Sequence, residues 1–70
     1  MKRIICTATI RDEATMQDVI ANLKKAGVEY EMLSMFKIKV DYKGYDPGTM
    51  KMIEELFESL ESHTIHYFYH

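Results

Sequence analysis

Four residue types are scarce in this sequence: its 70 residues include one cysteine, one proline, three glycines and no tryptophan. Cys6 therefore has no partner for an internal disulfide and belongs to no Cys-x-x-Cys pair, which excludes a disulfide framework and a thioredoxin-like site. An unpaired cysteine favours a reducing compartment, so we expect a cytoplasmic protein. With 47% hydrophobic residues and so little proline and glycine, the chain is too apolar to be disordered.

Long apolar runs are missing as well. No stretch approaches the roughly 20 residues that span a membrane, and Thr7 and Thr9 interrupt the first apolar stretch before a secretory signal can form. We therefore expect no membrane association. The formal net charge is −2, from 9 basic and 11 acidic residues, and no dense basic cluster occurs. Nucleic-acid binding needs such a cluster, so we expect no direct binding of nucleic acid.

The first 27 residues have the periodicity of a strand followed by a helix. Apolar side chains alternate over residues 2–10, as in a strand with one buried face. The helix that follows begins near Thr15, and its cap is either a Thr15–Asp18 capping box or Asp12. It ends at Gly27, because glycine suits the left-handed position after a helix.

The segment over residues 28–42 has an apolar residue at nearly every second position. A single strand of this length would far exceed the usual length of about 5 or 6 residues. We therefore predict a hairpin with the loop Leu33–Met35. Because this loop lacks Gly and Asn, a non-glycine residue such as Met35 is expected to adopt a positive φ. The predicted register places these residues opposite each other: Glu31 and Lys37, Glu29 and Lys39, Met32 and Phe36.

The last third of the chain predicts a second helix and a final strand. Asp46 followed by Pro47 is typical of an N-cap with proline in the first turn, and the helix is expected to end at residues 62–63. The segment 64–70 is rich in aromatic and β-branched residues, which favours a strand. Alternation places Ile65, Tyr67 and Tyr69 on one face of that strand and His66, Phe68 and His70 on the other.

The predicted order of elements is strand, helix, strand, strand, helix, strand. It folds most economically as an α+β, ferredoxin-like split βαβ unit, a four-stranded antiparallel sheet with two helices on one face. Right-handed crossovers make the first and third strands central and the second and fourth strands edges. We expect one compact domain over residues 1–70. The order resembles ferredoxin-like domains in general, a topology shared by so many functions that it implies none of them.

The residues that ordinarily carry chemistry do not form a recognisable site. In a strand, His66 and His70 are about 13 Å apart, too far to chelate one ion. We therefore predict no metal and no cofactor, although a frayed or helical tail would bring His63, His66 and His70 closer together. Cys6 alternates into the core, which predicts an inert thiol. The other titratable clusters face water, which levels their pKa values, so we predict no enzyme.

Three groups of side chains are candidate protein-binding surfaces. The hairpin tip is apolar and includes methionine, whose flexible side chain suits adaptable surfaces. The second helix has an acidic face suited to a basic protein surface. The final strand is an edge without lysine, acid or proline, which leaves its backbone open to pairing. The candidate residues are Leu33 and Met35 at the tip, Glu54, Glu55, Glu58 and Glu61 on the helix, and Tyr67, Phe68 and Tyr69 on the strand.

These features favour a small interaction protein, an adaptor or inhibitor that binds a larger protein. Compact proteins of this size are frequent in phages and mobile elements. A chain this small buries only about 60% of its unfolded surface, so we expect a homodimer in which a second copy covers part of the remainder. It also leaves little room for a pocket of about 300 Å³ or more. The alternative hypothesis is a sensor that binds a small molecule between the edge strands of a dimer.

Overall fold

The computed structural model describes residues 2–44 and 46–69 of the chain, and the side chains of residues 3–44 and 46–68. Within these ranges, four strands and two helices follow one another in the expected order β-α-β-β-α-β. The elements are β1 Lys2–Thr9, α1 Glu13–Lys25, β2 Glu31–Ser34, β3 Lys37–Gly44, α2 Pro47–Glu58 and β4 Ser62–Tyr69.

The four strands form one antiparallel sheet in the order β2-β3-β1-β4. This order makes β1 and β3 central and β2 and β4 edges, which confirms the ferredoxin-like α+β prediction. β1 pairs along its whole length with β3 on one side and with β4 on the other. Within the described residues, neither helix combines the length and the hydropathy that crossing a membrane requires.

The hydrophobic core lies between one face of the sheet and the two helices. Ile4 of β1 and Ile38 of β3 have no exposed surface, as the alternating pattern predicts. Leu23 of α1 and Phe57 of α2 are also fully buried. Burying a side chain of this kind contributes about 1.5–3 kcal/mol, so apolar contact holds both helices on the sheet. The buried set is Ile4, Cys6, Ala8, Ile10, Met16, Val19, Leu23, Val28, Ile38, Val40, Met50, Ile53 and Phe57.

Gly27 closes the C-terminus of α1 as predicted. It has φ +71°, in the left-handed region, and directly follows the C-cap Ala26. The Gly27 N–H donates to the Lys24 carbonyl at 3.0 Å and the Val28 N–H donates to the Leu23 carbonyl at 2.9 Å. These are the two hydrogen bonds of a Schellman motif. Leu23 and Val28 are both buried, so the motif leads the chain from α1 directly back into the core.

Aspartates cap the N-termini of both helices. Asp12 accepts hydrogen bonds from the Thr15 N–H at 3.1 Å and from the Thr15 hydroxyl at 2.6 Å, so Asp12 is the cap of α1. Asp46 accepts from the Gly48 N–H at 3.1 Å and from the Thr49 hydroxyl at 2.5 Å, which confirms the predicted cap of α2. These bonds, those from the hydroxyls foremost, lower the pKa of both carboxyl groups. Both caps therefore stay charged next to the positive end of their helix dipole.

The end of α2 differs from the sequence prediction. The helix ends at Glu58, earlier than the expected stop at residues 62–63, and β4 begins at Ser62. The Ser59 hydroxyl donates to the Leu56 carbonyl at 2.7 Å. A polar side chain thus satisfies a carbonyl in the last turn, which lets the helix stop without an unpaired group there. β4 is correspondingly longer than expected, with eight residues.

β2 and β3 form the predicted hairpin in a different register. Met32 pairs with Ile38 and Glu31 pairs with Lys39, so each of these β2 residues faces a β3 residue two positions later than predicted. A shift of two residues keeps every side chain on its own face of the sheet. The alternating pattern therefore could not distinguish the two registers.

The turn of this hairpin also differs from the prediction. Ser34 pairs with Lys37 after an irregularity between Met32 and Ser34, so the turn consists of Met35 and Phe36. No described non-glycine residue has a positive φ, and the expectation of one at Met35 is wrong. The irregularity adds one unpaired residue to β2 and so changes the register before the turn. The chain can then reverse direction without a residue in left-handed backbone. Phe36 consequently lies in the turn and is 40% exposed.

Replacing Gly27 by alanine should destabilise the protein by about 1 kcal/mol, because an L-residue is strained in left-handed backbone. No atom lies within 4 Å of the added Cβ, so the loss comes from the backbone alone. Gly48→Ala is the matched control: its Cβ would lie 3.4 Å from an Asp46 oxygen in ordinary helical backbone, and its stability should stay the same or rise. Urea unfolding measures both variants, and equal losses would contradict this role of Gly27.

Candidate functional site

β4 exposes one edge over its whole length. One side of the strand pairs with β1 along eight residues, and within the described residues no strand pairs with its other side. The strand contains no lysine, aspartate, glutamate or proline. Proteins commonly place such residues on an edge to discourage pairing with another chain. The β4 edge, as we call this outer side of Ser62–Tyr69, therefore presents backbone with which a further strand can pair.

The opposite edge of the sheet is protected. β2 spans only Glu31–Ser34, its pairing with β3 contains an irregularity, and Glu31 faces Lys39. Short length, bulges and charged side chains each reduce pairing between sheet edges. Of the two edges, β4 is therefore the one open to a partner.

Two glutamates of α2 flank the β4 edge on the side of the sheet that carries the helices. Glu54 and Glu58 are one helical turn apart and share a face of α2. Tyr67 points to the same side, because it pairs with the core residue Ile4. The Tyr67 hydroxyl donates a hydrogen bond to the Glu54 carboxylate, and burial, followed by the charges of Glu54 and Glu58, raises the pKa of Tyr67. We call these three side chains the acidic rim, and Tyr67 is 42% exposed within it.

The face of the sheet that points away from the core carries different chemistry next to β4. Phe68 is 40% exposed, and the Arg3 guanidinium lies 5.7 Å from the centroid of its ring. Arg3 also donates two hydrogen bonds to Asp41, at 2.9 and 2.7 Å. These bonds lower the pKa of Asp41 and hold the guanidinium in place. His66 and Thr64 lie on this same face of β4.

A second exposed apolar surface surrounds the β2–β3 turn. Met35 is 78% exposed and Leu33 is 46% exposed. The Phe36 carbonyl accepts a hydrogen bond from the Ile10 N–H at 2.7 Å, and the Arg11 guanidinium lies 5.7 Å from the Phe36 ring. The turn is thereby attached to the chain that follows β1. The hairpin surface, as we call it, consists of Met32, Leu33, Met35 and Phe36.

An open cleft of about 620 Å³ lies where β1 leads into α1 and α2 leads into β4. Its volume exceeds what we expected of a chain this small. More than half of its lining residues are exposed, including Arg11, Asp12 and Glu61. It is therefore a groove between two loops and not an enclosed pocket.

The histidines do not converge on one site. His63 points to the helix side of β4, with its Nδ1 2.7 Å from the Leu60 carbonyl, whereas His66 points to the opposite face. His70 lies outside the described residues. Among residues 2–44 and 46–69, no three side chains of His, Cys, Asp or Glu are close enough to share a metal ion.

The acidic face predicted for the second helix is divided between three places. Glu54 and Glu58 meet Tyr67 in the acidic rim. Glu55 is exposed on α2, and Glu61 lies beyond the helix at the cleft. The sequence pattern identified the glutamates, but it could not show which of them lie next to the final strand.

The remaining candidate residues lie on separate surfaces. Phe68 lies on the other face of β4 from the acidic rim, and the side chain of Tyr69 lies outside the described residues. Leu33 and Met35 belong to the hairpin surface, at the β2 side of the sheet. Sequence reasoning missed the exposure of Phe36, because the predicted register placed it in a strand. The absence of Gly and Asn in the predicted loop was the available signal that the turn lay elsewhere.

Comparisons with known proteins do not assign the chain to a family. It matches no protein-family model, no curated protein and no solved structure. A functional interpretation therefore depends on the residues of this chain, their geometry and their charges.

Cys6 occupies its predicted position in the core and has no exposed surface. Burial, with a smaller effect from the negative charge of Glu54, raises the pKa of its thiol to about 12. The thiolate is the nucleophilic form of cysteine, so a thiol with this pKa is unreactive at neutral pH.

The Cys6 thiol should make the stability of the protein depend on alkaline pH. Its pKa is higher in the folded state than the ordinary value of 9.0, so its contribution is complete below pH 9 and is lost as pH rises towards about 12. The loss is at most about 1.4 kcal/mol per pH unit. Urea unfolding of the wild type and of Cys6→Ala on both sides of pH 9 measures it, because the other titrating groups are common to both. Equal pH dependence in the two proteins would contradict the prediction.

Proposed function

We propose that this protein is an interaction module, an adaptor or inhibitor, that binds a larger protein by strand addition along the β4 edge. The observation that carries the proposal is the contrast between the two sheet edges: β2 is short and contains Glu31, whereas β4 has eight residues and contains no lysine, arginine, aspartate or glutamate. In strand addition, backbone hydrogen bonds supply affinity and side-chain contacts on both faces supply specificity.

The side chains on the two faces of β4 support this role. Tyr67 and Phe68 are 42% and 40% exposed and point to opposite faces. An added strand would therefore pack against an aromatic ring on each side, and aromatic residues are enriched at protein interfaces. Adjacent aromatics on an uncovered edge also favour aggregation, which a bound partner would suppress.

A binding role accounts for the other features better than catalysis does. Cys6 is buried with a raised pKa, and His63 and His66 point to different faces of the sheet. The cleft between the loops is open, so it does not exclude water as an active site commonly does. We extend the proposal to a cytoplasmic location, where a single reduced cysteine is stable.

Phe68→Lys should weaken binding to the natural partner by at least about tenfold, which corresponds to 1.4 kcal/mol, because it replaces an aromatic contact on the edge with a charge that disfavours pairing. Met35→Lys introduces the same charge at an exposed apolar residue of the hairpin surface and should leave binding unchanged. Affinity purification of each tagged variant from the native lysate identifies the partner. Titration with the purified partner then gives the dissociation constants.

Circular dichroism and light scattering accompany these measurements and show whether each variant is folded and in which oligomeric state. Loss of the partner in Met35→Lys but not in Phe68→Lys would assign binding to the hairpin surface and contradict the proposal. A wild type that is monomeric and recovers no stoichiometric partner would also contradict it.

A further inference from the structure

We infer that the segment that pairs with the β4 edge is basic and carries lysine or arginine at alternate positions, on the side that faces the acidic rim. This inference rests on the proposed function, because it names the chemistry of the chain that strand addition would bring to β4. Three observations support it: the position of the acidic rim, the lack of paired cations there among the described side chains, and the symmetry of a self-pairing.

The acidic rim borders the space that an added strand would occupy. Such a strand lies about 4.8 Å from β4 and places every second side chain on the helix side of the sheet. There it would meet Tyr67, whose hydroxyl contacts Glu54 and whose pKa is also raised by Glu58. Two carboxylates thus lie next to the alternate side chains of the partner.

The described chain does not neutralise these two carboxylates. Among the described side chains, those of residues 3–44 and 46–68, the salt bridge found joins Arg3 to Asp41, on the other face of the sheet. Lys51 is the one basic residue in the sequence of α2, and it forms no ion pair with Glu54 or Glu58. Within these described side chains no cation is paired with the acidic rim, so a basic partner can complement its charge.

The same charges disfavour a second copy of this chain as the occupant. Antiparallel pairing of β4 with itself about a twofold axis keeps the helices of both copies on the same side of the joined sheet. Glu54 and Glu58 of one copy would then approach their counterparts in the other. Like charges brought together at an interface cost free energy. A basic segment from another protein would instead be attracted by the same carboxylates that repel a second copy.

The other face of β4 determines which residues of the partner segment are expected between its basic residues. Phe68 is exposed there, beside Arg3, whose charge is already paired with Asp41. Partner side chains on this face meet an aromatic ring and an engaged guanidinium, which suits apolar residues. A segment in which basic and apolar residues alternate therefore matches both faces of the β4 edge.

Selection from a phage-displayed library of random peptides of strand length tests this inference with the wild-type protein. Bound peptides should be enriched in lysine or arginine at positions i and i+2, with apolar residues between them. Resynthesised peptides are titrated calorimetrically and located through the amide resonances of the ¹⁵N-labelled protein, which should shift along β4. Affinity should fall as salt is raised, because the Debye length is only about 8 Å at physiological ionic strength.

Glu58→Gln and Glu31→Gln are a matched pair, since they remove the same charge beside opposite edges of the sheet. Glu58→Gln should weaken peptide binding about twofold and the Glu54→Gln, Glu58→Gln double variant about fourfold, as exposed ion pairs of this kind typically do. Glu31→Gln should leave the dissociation constant unchanged.

Each outcome separates this inference from the proposed function. Peptides that shift β4 resonances but lack basic residues, or that bind the double variant as tightly as the wild type, would overturn the inference alone. Peptides that shift only resonances of the hairpin surface, or a selection that yields no binder, would overturn both. A wild-type dimer that Phe68→Lys dissociates would make a second copy the occupant and overturn the inference.

Discussion

Burial of one face of β1 beneath the two helices is the constraint on which the rest of the structure depends. β1 pairs on both sides, and its residues Ile4, Cys6 and Ala8 have almost no exposed surface. Through those pairings β1 determines which residues of β3 and β4 face the core. A domain this small can cover only one face of its sheet, so the opposite face and both edges stay at the surface.

The properties of the two edges follow from this arrangement. β2 spans only Glu31–Ser34, and the chain reaches it from α1 through Val28, which is buried. β4 follows β1 along its full length and so forms a long edge. Glu54 lies between the core and this edge: its charge acts on the buried Cys6 and on the exposed Tyr67, and it raises the pKa of both. One carboxylate therefore contributes both to the raised pKa of a core thiol and to the acidic rim.

The sequence was sufficient for the features that depend on local chemistry. Asp46 and Gly27 mark helix ends because a cap and a left-handed backbone each need particular residue types. The alternation grouped the residues predicted to form β1, β3 and β4 by face, with Ile4 and Cys6 on the buried side, and the order of elements left one economical topology. The sequence also predicted that the edge of β4 is open to pairing, because this property depends on which residues the strand lacks.

The remaining features depend on contacts between distant residues. Strand alternation repeats every two residues, so it cannot distinguish registers two residues apart, and pairing in the folded sheet placed Phe36 in the turn. The glutamates of α2 form one acidic group in sequence, but packing of Phe57 in the core orients the helix and brings Glu54 and Glu58 beside Tyr67. The sequence alone therefore determined the elements and their faces, whereas tertiary packing decided the strand register and the acidic rim, because both depend on how separate elements fit together.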